Sequence, residues 1–286
     1  MDRIQEILKK LGMDTTFNMS PREYEQFKVD GLNESVGDRN AQDGYNCDIC
    51  KNKAIIFKVV DNGDGSFSHV CADCRCAITR RSIMRMKRSG LKDVINSYRF
   101  EKYEDNEPWQ KSIKNAAMEY AKNPEGWFFL GGQVGCGKTH LCTAICREFL
   151  LAGRQVIYMP WRDDIVRIKD AARAKDSDGE SAELSNMLRE YKTADVLYID
   201  DLFKTGRIAD GSMPKPTVAD INYAFEIINY RYNNPSLLTI ISSELSEDEL
   251  LDIDEAVGSR IYERSKAITI AKDRRRNYRI RNSVTL

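Results

Sequence analysis

The stretch that most constrains this chain is Gly132-Gln133-Val134-Gly135-Cys136-Gly137-Lys138-Thr139. It follows the apolar run Trp127 to Gly131 and precedes a helix-compatible stretch from His140 to Leu151. Strand, glycine-rich loop and helix, in that order, turn backbone N–H groups inward around a polyphosphate, and the helix N-terminus adds unpaired donors at the same place. Lys138 is positioned to reach β- and γ-phosphates, and the Thr139 hydroxyl to bind Mg²⁺. The expected nucleotide contacts are therefore Gly132 to Thr139 together with His140, which opens the helix and is given no catalytic role.

The rest of the C-terminal two-thirds reads as alternating strands and helices, which predicts a parallel sheet. Residues 127–131 form the first strand, 155–159 the second, and Asp195-Val196-Leu197-Tyr198-Ile199-Asp200-Asp201 the third. Apolar residues running into acids are the pattern of a buried parallel strand that ends at a site. Asp200 is expected to hold Mg²⁺ and Asp201 to orient or deprotonate an attacking water. Leu237 to Ile241 is a fourth strand, tipped by Ser242-Ser243-Glu244, and Ala267 to Ile270 a fifth. Helices are expected over 109–122, 161–174, 182–191 and 217–232.

Upstream, Cys47-Asp48-Ile49-Cys50 is followed after twenty residues by Cys71-Ala72-Asp73-Cys74-Arg75-Cys76. Two close cysteine pairs at this separation signal structural zinc. Residues 54–60 and 66–70 read as a hairpin, turning at Asp61 to Gly65, that brings the pairs together. Cys47 and Cys50 are two ligands, and Cys71, Cys74 and Cys76 compete for the other two places, with His69 a weaker candidate. Residues 3–11 carry Ile4, Ile7, Leu8 and Leu11 on one helical face, and 30–44 read as loop or linker. Segment 93–107 reads as a linker. The expected domains are an N-terminal helical segment and linker (1–44), a zinc domain with a basic helix (45–94) and a nucleotide domain (95–286).

Charge is balanced overall but uneven along the chain, so no global field draws it onto nucleic acid. Seven bases and no acid fall between Arg75 and Lys92, and seven acids and no base between Glu244 and Glu255. The basic stretch 80–92 suggests a solvated helix face, with DNA or an acidic partner as alternatives. The tail from Lys272 to Arg281 has six bases and one acid. No apolar run approaches a membrane span, and the first residues lack a signal-peptide core, so a cytoplasmic protein with reduced cysteines is expected. With only His69 and His140 in the chain, Ser-His-Asp chemistry has little material.

The segments GGQVGCGKTHL, VLYIDD, TIISSE and GSRIYER together resemble the AAA+ ATPase core of DnaC/DnaI-type replicative helicase loaders, over about residues 95 to 281. The cysteine-bearing region resembles the N-terminal zinc domain of DnaI-type and phage-borne loaders, where it engages the helicase. The resemblance implies an α/β AAA+ P-loop fold with a five-stranded parallel sheet behind a small zinc domain. It implies ATP, Mg²⁺ and Zn²⁺ as cofactors, a replicative helicase and single-stranded DNA as partners, and a homo-oligomer in the ATP-bound assembly. It makes Asp200 and Asp201 the Walker B pair and Ser243 the sensor at its strand tip. Arg264 becomes the arginine finger, with Arg260 its neighbour at the same interface. It favours Cys74 and Cys76 as the second zinc pair, leaving Cys71 extra.

Two departures stand out. The second Walker B acid is Asp201 where the family has Glu, which suggests slow hydrolysis, and the sensor tip reads Ser243-Glu244 where Ser-Asn is common. Two rival readings share parts of this pattern. One is an IstB-type transposition helper, against which the zinc domain speaks. The other is a zinc-containing, nucleic-acid-binding regulator that binds ATP without turnover, against which the Walker B acids and the arginine pair speak.

Overall fold

A computed structural model describes residues 19–88, 90–174, 181–205 and 214–280. The amphipathic stretch 3–11, the polar break 175–179 and much of the loop after Thr205 lie outside the described residues. The chain divides into two compact units, Met1–Ala77 and Ile78–Leu286.

The first unit opens with helix α1, Pro21–Glu34. Ser20 caps it: its hydroxyl accepts from the Glu23 N–H, the Glu23 carboxylate accepts from the Ser20 N–H at 2.8 Å, and Pro21 takes the first helical position. A short helix α2, Arg39–Asp43, ends at Gly44 in the left-handed conformation. The stretch 30–44, expected as loop, is thus largely helical. The Ser-x-x-Glu box at residues 20–23 was the signal for the first of these helices. Strands β1, Ile55–Asp61, and β2, Phe67–Asp73, pair antiparallel from Ile55↔Asp73 to Asp61↔Phe67. Asn33 ties α1 to β1, donating to the Phe57 carbonyl at 3.0 Å and accepting from its N–H at 2.9 Å.

Helix α3, Cys76–Arg88, spans the boundary between the units. Most of its length therefore falls in the second unit, not in the zinc domain as the 45–94 boundary had it. The solvated basic face expected here forms only in part: Arg81, Arg88 and Lys92 are exposed, but two of the bases turn inward. Arg80 is buried, and Arg85 meets Glu190 at 2.9 Å, Asp164 at 3.5 Å and the Tyr191 hydroxyl at 2.7 Å. Segment 93–107 is not a free linker either. It holds helix α4, Val94–Ser97, and a 3₁₀ turn at Phe100–Lys102, and it buries Val94, Ile95, Phe100 and Tyr103. Its apolar residues follow no regular period, so no pattern betrayed the packing.

Helix α5, Pro108–Lys122, leads into β3, Trp127–Gly132, and helix α6, Lys138–Leu151. Then come β4, Val156–Pro160; α7, Trp161–Arg173; α8, Ala182–Thr193; β5, Val196–Asp200; and α9, Val218–Tyr232. The unit closes with β6, Leu238–Ser242; α10, Glu247–Ile253; α11, Glu255–Arg264; and β7, Ser265–Ile270. The five strands are parallel, in the order β4-β5-β6-β3-β7. Strands β3, β5 and β6 are buried throughout and β4 almost so, which explains their unbroken apolar runs; the edge strand β7 is half exposed. Trp127 and Phe129 join the core under α7, α8, α9 and α11, while Phe128 meets Tyr120 of α5. Among the described residues no helix is long and apolar enough to cross a membrane.

Arg231 of α9 is fully buried, and sequence reasoning passed it over. Its guanidinium donates to the carbonyls of Tyr191, Lys192, Ala194 and Leu238 and to the Thr239 hydroxyl. Three of those carbonyls stand at or just beyond the end of α8, where the last helical carbonyls lack intrahelical partners. Burial pushes its pKa down to about 9, so it remains a cation at neutral pH.

Candidate nucleotide site and cysteine cluster

Strand β3 ends against β7, and the loop begins where a side chain cannot fit. Gly132 has φ +94°, and a Cβ there would lie 2.1 Å from the Ile270 carbonyl oxygen. Gly137, at φ +93°, sits one residue before α6, with the Tyr103 ring closed over it. Between them Gln133 accepts from the Asp273 N–H at 2.7 Å, and the buried Cys136 thiol donates to the Gln133 carbonyl at 2.9 Å. Val134 and Gly135 face the pocket. Lys138 is folded into the loop, its ammonium donating to the Gly132 and Gln133 carbonyls at 2.8 and 2.7 Å. A polyphosphate would offer it stronger, charged acceptors in their place.

Thr139 donates to Asp200 at 3.2 Å, which places the hydroxyl and the carboxylate expected to share Mg²⁺ beside each other. Asp200 is buried and also accepts from the hydroxyls of Tyr158 at 2.8 Å, Tyr198 at 2.7 Å and Ser242 at 2.5 Å. Burial first, and then the Asp200 charge, push both tyrosine hydroxyls well above their ordinary range, so they act as neutral donors. The sequence contained this signal unread. Tyr198 is two residues before Asp200 on one strand, hence on its face, and Tyr158 is Tyr198's register partner on β4.

Asp201 adopts φ +59°, turning the chain at the strand tip, and its N–H donates to the Ser242 hydroxyl at 3.0 Å. Its carboxylate pairs with Lys204 at 2.7 Å, and Glu244 pairs with the same ammonium at 2.8 Å. Burial works to lower the Lys204 pKa, but its hydrogen bonds to Asp201 and Glu244 leave it raised. Ser243, expected at the sensor position, is fully buried instead. Its hydroxyl donates to the Leu202 carbonyl and accepts from the Leu245 N–H, so Glu244 is the strand-tip residue that faces the pocket. Its neighbours therefore occupy the sensor hydroxyl before any ligand arrives.

The pocket itself measures about 520 Å³, within the range of small-molecule sites. The phosphate loop lines one side, Asp201, Lys204 and Glu244 another, and Tyr98, Tyr103 and His140 form a wall of rings. His140 bonds the Arg99 carbonyl through its ring at 2.9 Å, a packing role. Arg264 and Arg260 lie elsewhere. Ser265 pairs with Trp127 at the start of β3, and Ile270 with Gly132 at its end. Arg264 stands one residue before Ser265, so six steps of strand put it roughly 20 Å from the loop. Its Nη2 donates to the Pro235 carbonyl at 3.2 Å, while its Nε is buried without a hydrogen bond. Arg260 donates to Asn229 at 3.0 Å and stacks over Phe225 and Tyr232.

In the first unit, Cys47, Cys50, Cys74 and Cys76 are buried with all four sulfurs within 4.8 Å of one another. The pairs Cys47–Cys74 and Cys50–Cys76 are 3.9 and 3.5 Å apart, close to the edge of about 3.8 Å that a tetrahedron of thiolates at Zn–S distance requires. Burial works to raise the Cys50 thiol, but the Ala54 N–H and the neighbouring sulfurs bring it down to about 7. Four converging sulfurs, one of them readily ionised, suit a soft divalent metal. Cys71 is not among them. It faces out from β2 opposite Phe57, and His69 is engaged by Glu25.

A family model described as IstB-like ATP binding protein matches residues 71–283. This chain belongs to the IstB-like ATP-binding family. The phage-like element PBSX protein XkdC of Bacillus subtilis is 32% identical to this IstB-like protein over 77% of it and 79% of XkdC. The replicative helicase loader DnaC of Escherichia coli is 31% identical over a shorter stretch, 40% of this chain and 46% of DnaC. A crystal structure of the DnaC helicase loader overlays with a TM-score of 0.50 and 24% identity, covering 63% of this chain and 99% of that one. The fold is therefore that of AAA+ P-loop proteins: an α/β domain with a five-stranded parallel sheet, behind a unit that carries the cysteine cluster.

Proposed function

We propose that this IstB-like protein is an ATPase that loads a ring-shaped replicative helicase onto single-stranded DNA. The observation that carries the reading is the convergence of Lys138, Thr139, Asp200 and Asp201 at one pocket, with the arginines of α11 far from it. In this reading Lys138 and the loop N–H groups bind the β- and γ-phosphates. Thr139 and Asp200 would hold Mg²⁺, which would supply positive charge against the phosphates. Tyr158, Tyr198 and Ser242 donate to the Asp200 carboxylate and aim it. Asp201 accepts a proton from, or orients, the water that attacks the γ-phosphate. Arg264 completes the site of a neighbouring copy, with Arg260 supporting the same interface, so turnover needs a homo-oligomer. Cys47, Cys50, Cys74 and Cys76 hold one structural zinc, and the N-terminal unit it stabilises engages the helicase in the cytoplasm.

The sequence likeness to a replicative helicase loader and to a phage-element protein supports this reading over transposition, as does the zinc unit. The test is a loading assay with the host helicase on circular single-stranded DNA, where no free end admits the ring. ATP-dependent helicase recruitment by the native chain, lost in Lys138→Ala, is the expected result. Copurification with a transposase and not with a helicase would transfer the chain to the IstB-type reading.

A further inference from the structure

Lys204 has no role in the proposed nucleotide chemistry, yet it stands in the same pocket as the phosphate loop. Its ammonium bridges two carboxylates from different strand tips, Asp201 after β5 and Glu244 after β6, at 2.7 and 2.8 Å. The turn that carries it is anchored from below. Leu202 and Phe203 are buried, Phe203 packs edge-on against Trp161, and the Lys204 N–H closes the turn on the Asp201 carbonyl at 2.9 Å. Asp201 and Phe203 both take positive φ, a backbone course that brings the fourth residue of the turn back over the pocket. The three charged side chains are 30%, 28% and 19% exposed, in the order Asp201, Lys204, Glu244, so each is shielded from water on most sides yet still open to a ligand.

A triphosphate entering this pocket brings its terminal phosphate toward the carboxylates of Asp201 and Glu244, with the buried Asp200 behind Thr139; Lys138 is the one cation within the phosphate loop itself, and Lys102 and Arg279 also line the pocket. A lysine ammonium has three donors, and the two carboxylates account for two of them. We propose that Lys204 is a second phosphate-binding lysine, one that meets the γ-phosphate and makes this site prefer the triphosphate over the diphosphate. The proposal rests on the reading of the pocket as an ATP site. Asp201 and Glu244 hold the ammonium at that end of the pocket until the γ-phosphate competes for it. A diphosphate, whose terminal group stops one phosphate short, has nothing to offer Lys204.

The experiment is equilibrium binding of Mg²⁺ with a non-hydrolysable ATP analogue, and separately with ADP, to the full chain. In Lys204→Met the triphosphate should bind on the order of tenfold more weakly while ADP changes less than about threefold, as loss of one charge-assisted contact predicts. Lys204→Arg should keep most of the preference. The double variant Lys204→Met, Glu244→Leu restores the net charge but adds no donor, and the preference should stay lost. Recovery of the native ratio in the double variant, or equal weakening of both nucleotides in Lys204→Met, would overturn the proposal and leave the ATP reading intact. A native chain that binds neither nucleotide would overturn both. Far-UV circular dichroism of each variant verifies folding, and Lys204→Leu supplies the same ratio if Lys204→Met does not fold.

Discussion

Mixing two inactive variants should restore ATP turnover that neither has alone. Arg264 starts from the wrong end of β3 to reach its own chain's phosphates. The register Trp127↔Ser265 and Gly132↔Ile270 leaves six strand steps, roughly 20 Å, between Arg264 and the loop, farther than an arginine side chain extends. If it acts in catalysis, it must act on a neighbour. Arg264→Ala then has a sound site and no finger to lend, and Asp201→Asn has a sound finger and a disabled site. Each alone should bind ATP and hydrolyse it poorly. Fingers are worth on the order of 10³–10⁵ in rate in GTPases, with less expected of a slow loader. In a head-to-tail assembly an interface is competent when a sound site meets a sound finger. At equal proportions with random assembly, that is about one interface in four, so turnover should peak near a quarter of the native rate. The assay is steady-state ATP turnover against mixing ratio, with helicase and single-stranded DNA present to drive assembly. A straight line between the two inactive ends, with co-assembly shown by crosslinking, would refute a finger acting between subunits.

Lys138→Ala should weaken ATP binding at least tenfold by removing the loop's ammonium, and isothermal titration measures it. Cys47→Ser should lose zinc while the Ile78–Leu286 unit keeps its thermal transition, read by metal analysis and calorimetry. Metal binding displaces thiol protons, so zinc affinity rises with pH. With Cys50 near 7 and Cys74 pushed up by burial, zinc affinity should fall steadily as pH drops from the alkaline range through neutrality, which competition with a chromophoric chelator follows. Arg231→Met should destabilise the second unit by about 3–5 kcal/mol, because it leaves several buried carbonyls without a donor; the shift of the urea midpoint checks this.

Much of the site was legible before folding was considered, because its chemistry is local. The loop from Gly132 to Thr139 must be glycine-rich where backbone crowds it, and the chain order strand, loop, helix is itself the binding geometry. The acids at 200 and 201 were visible for the same reason, as a buried strand has to end where its side chains turn polar. Cysteine spacing announced a metal cluster with Cys47 and Cys50 in it but left Cys71, Cys74 and Cys76 competing for the other two places, and only the family resemblance favoured Cys74 and Cys76. The hairpin register excludes Cys71, since an exposed residue paired across from Phe57 does not turn to the cluster. Tertiary structure likewise decided that Ser243 is spent on backbone and that Glu244 faces the pocket, a matter of which way two adjacent residues point at one strand tip. It gave Asp200 its hydroxyl donors from three strands, folded the irregular segment 93–107 into the pocket wall, and turned Arg85 from a surface charge into an internal tie. These contacts join residues tens of positions apart, and their distances depend on how strands and helices stack. Sequence periodicity reports which side of an element is buried; the partner that buries it appears only when the sheet is assembled.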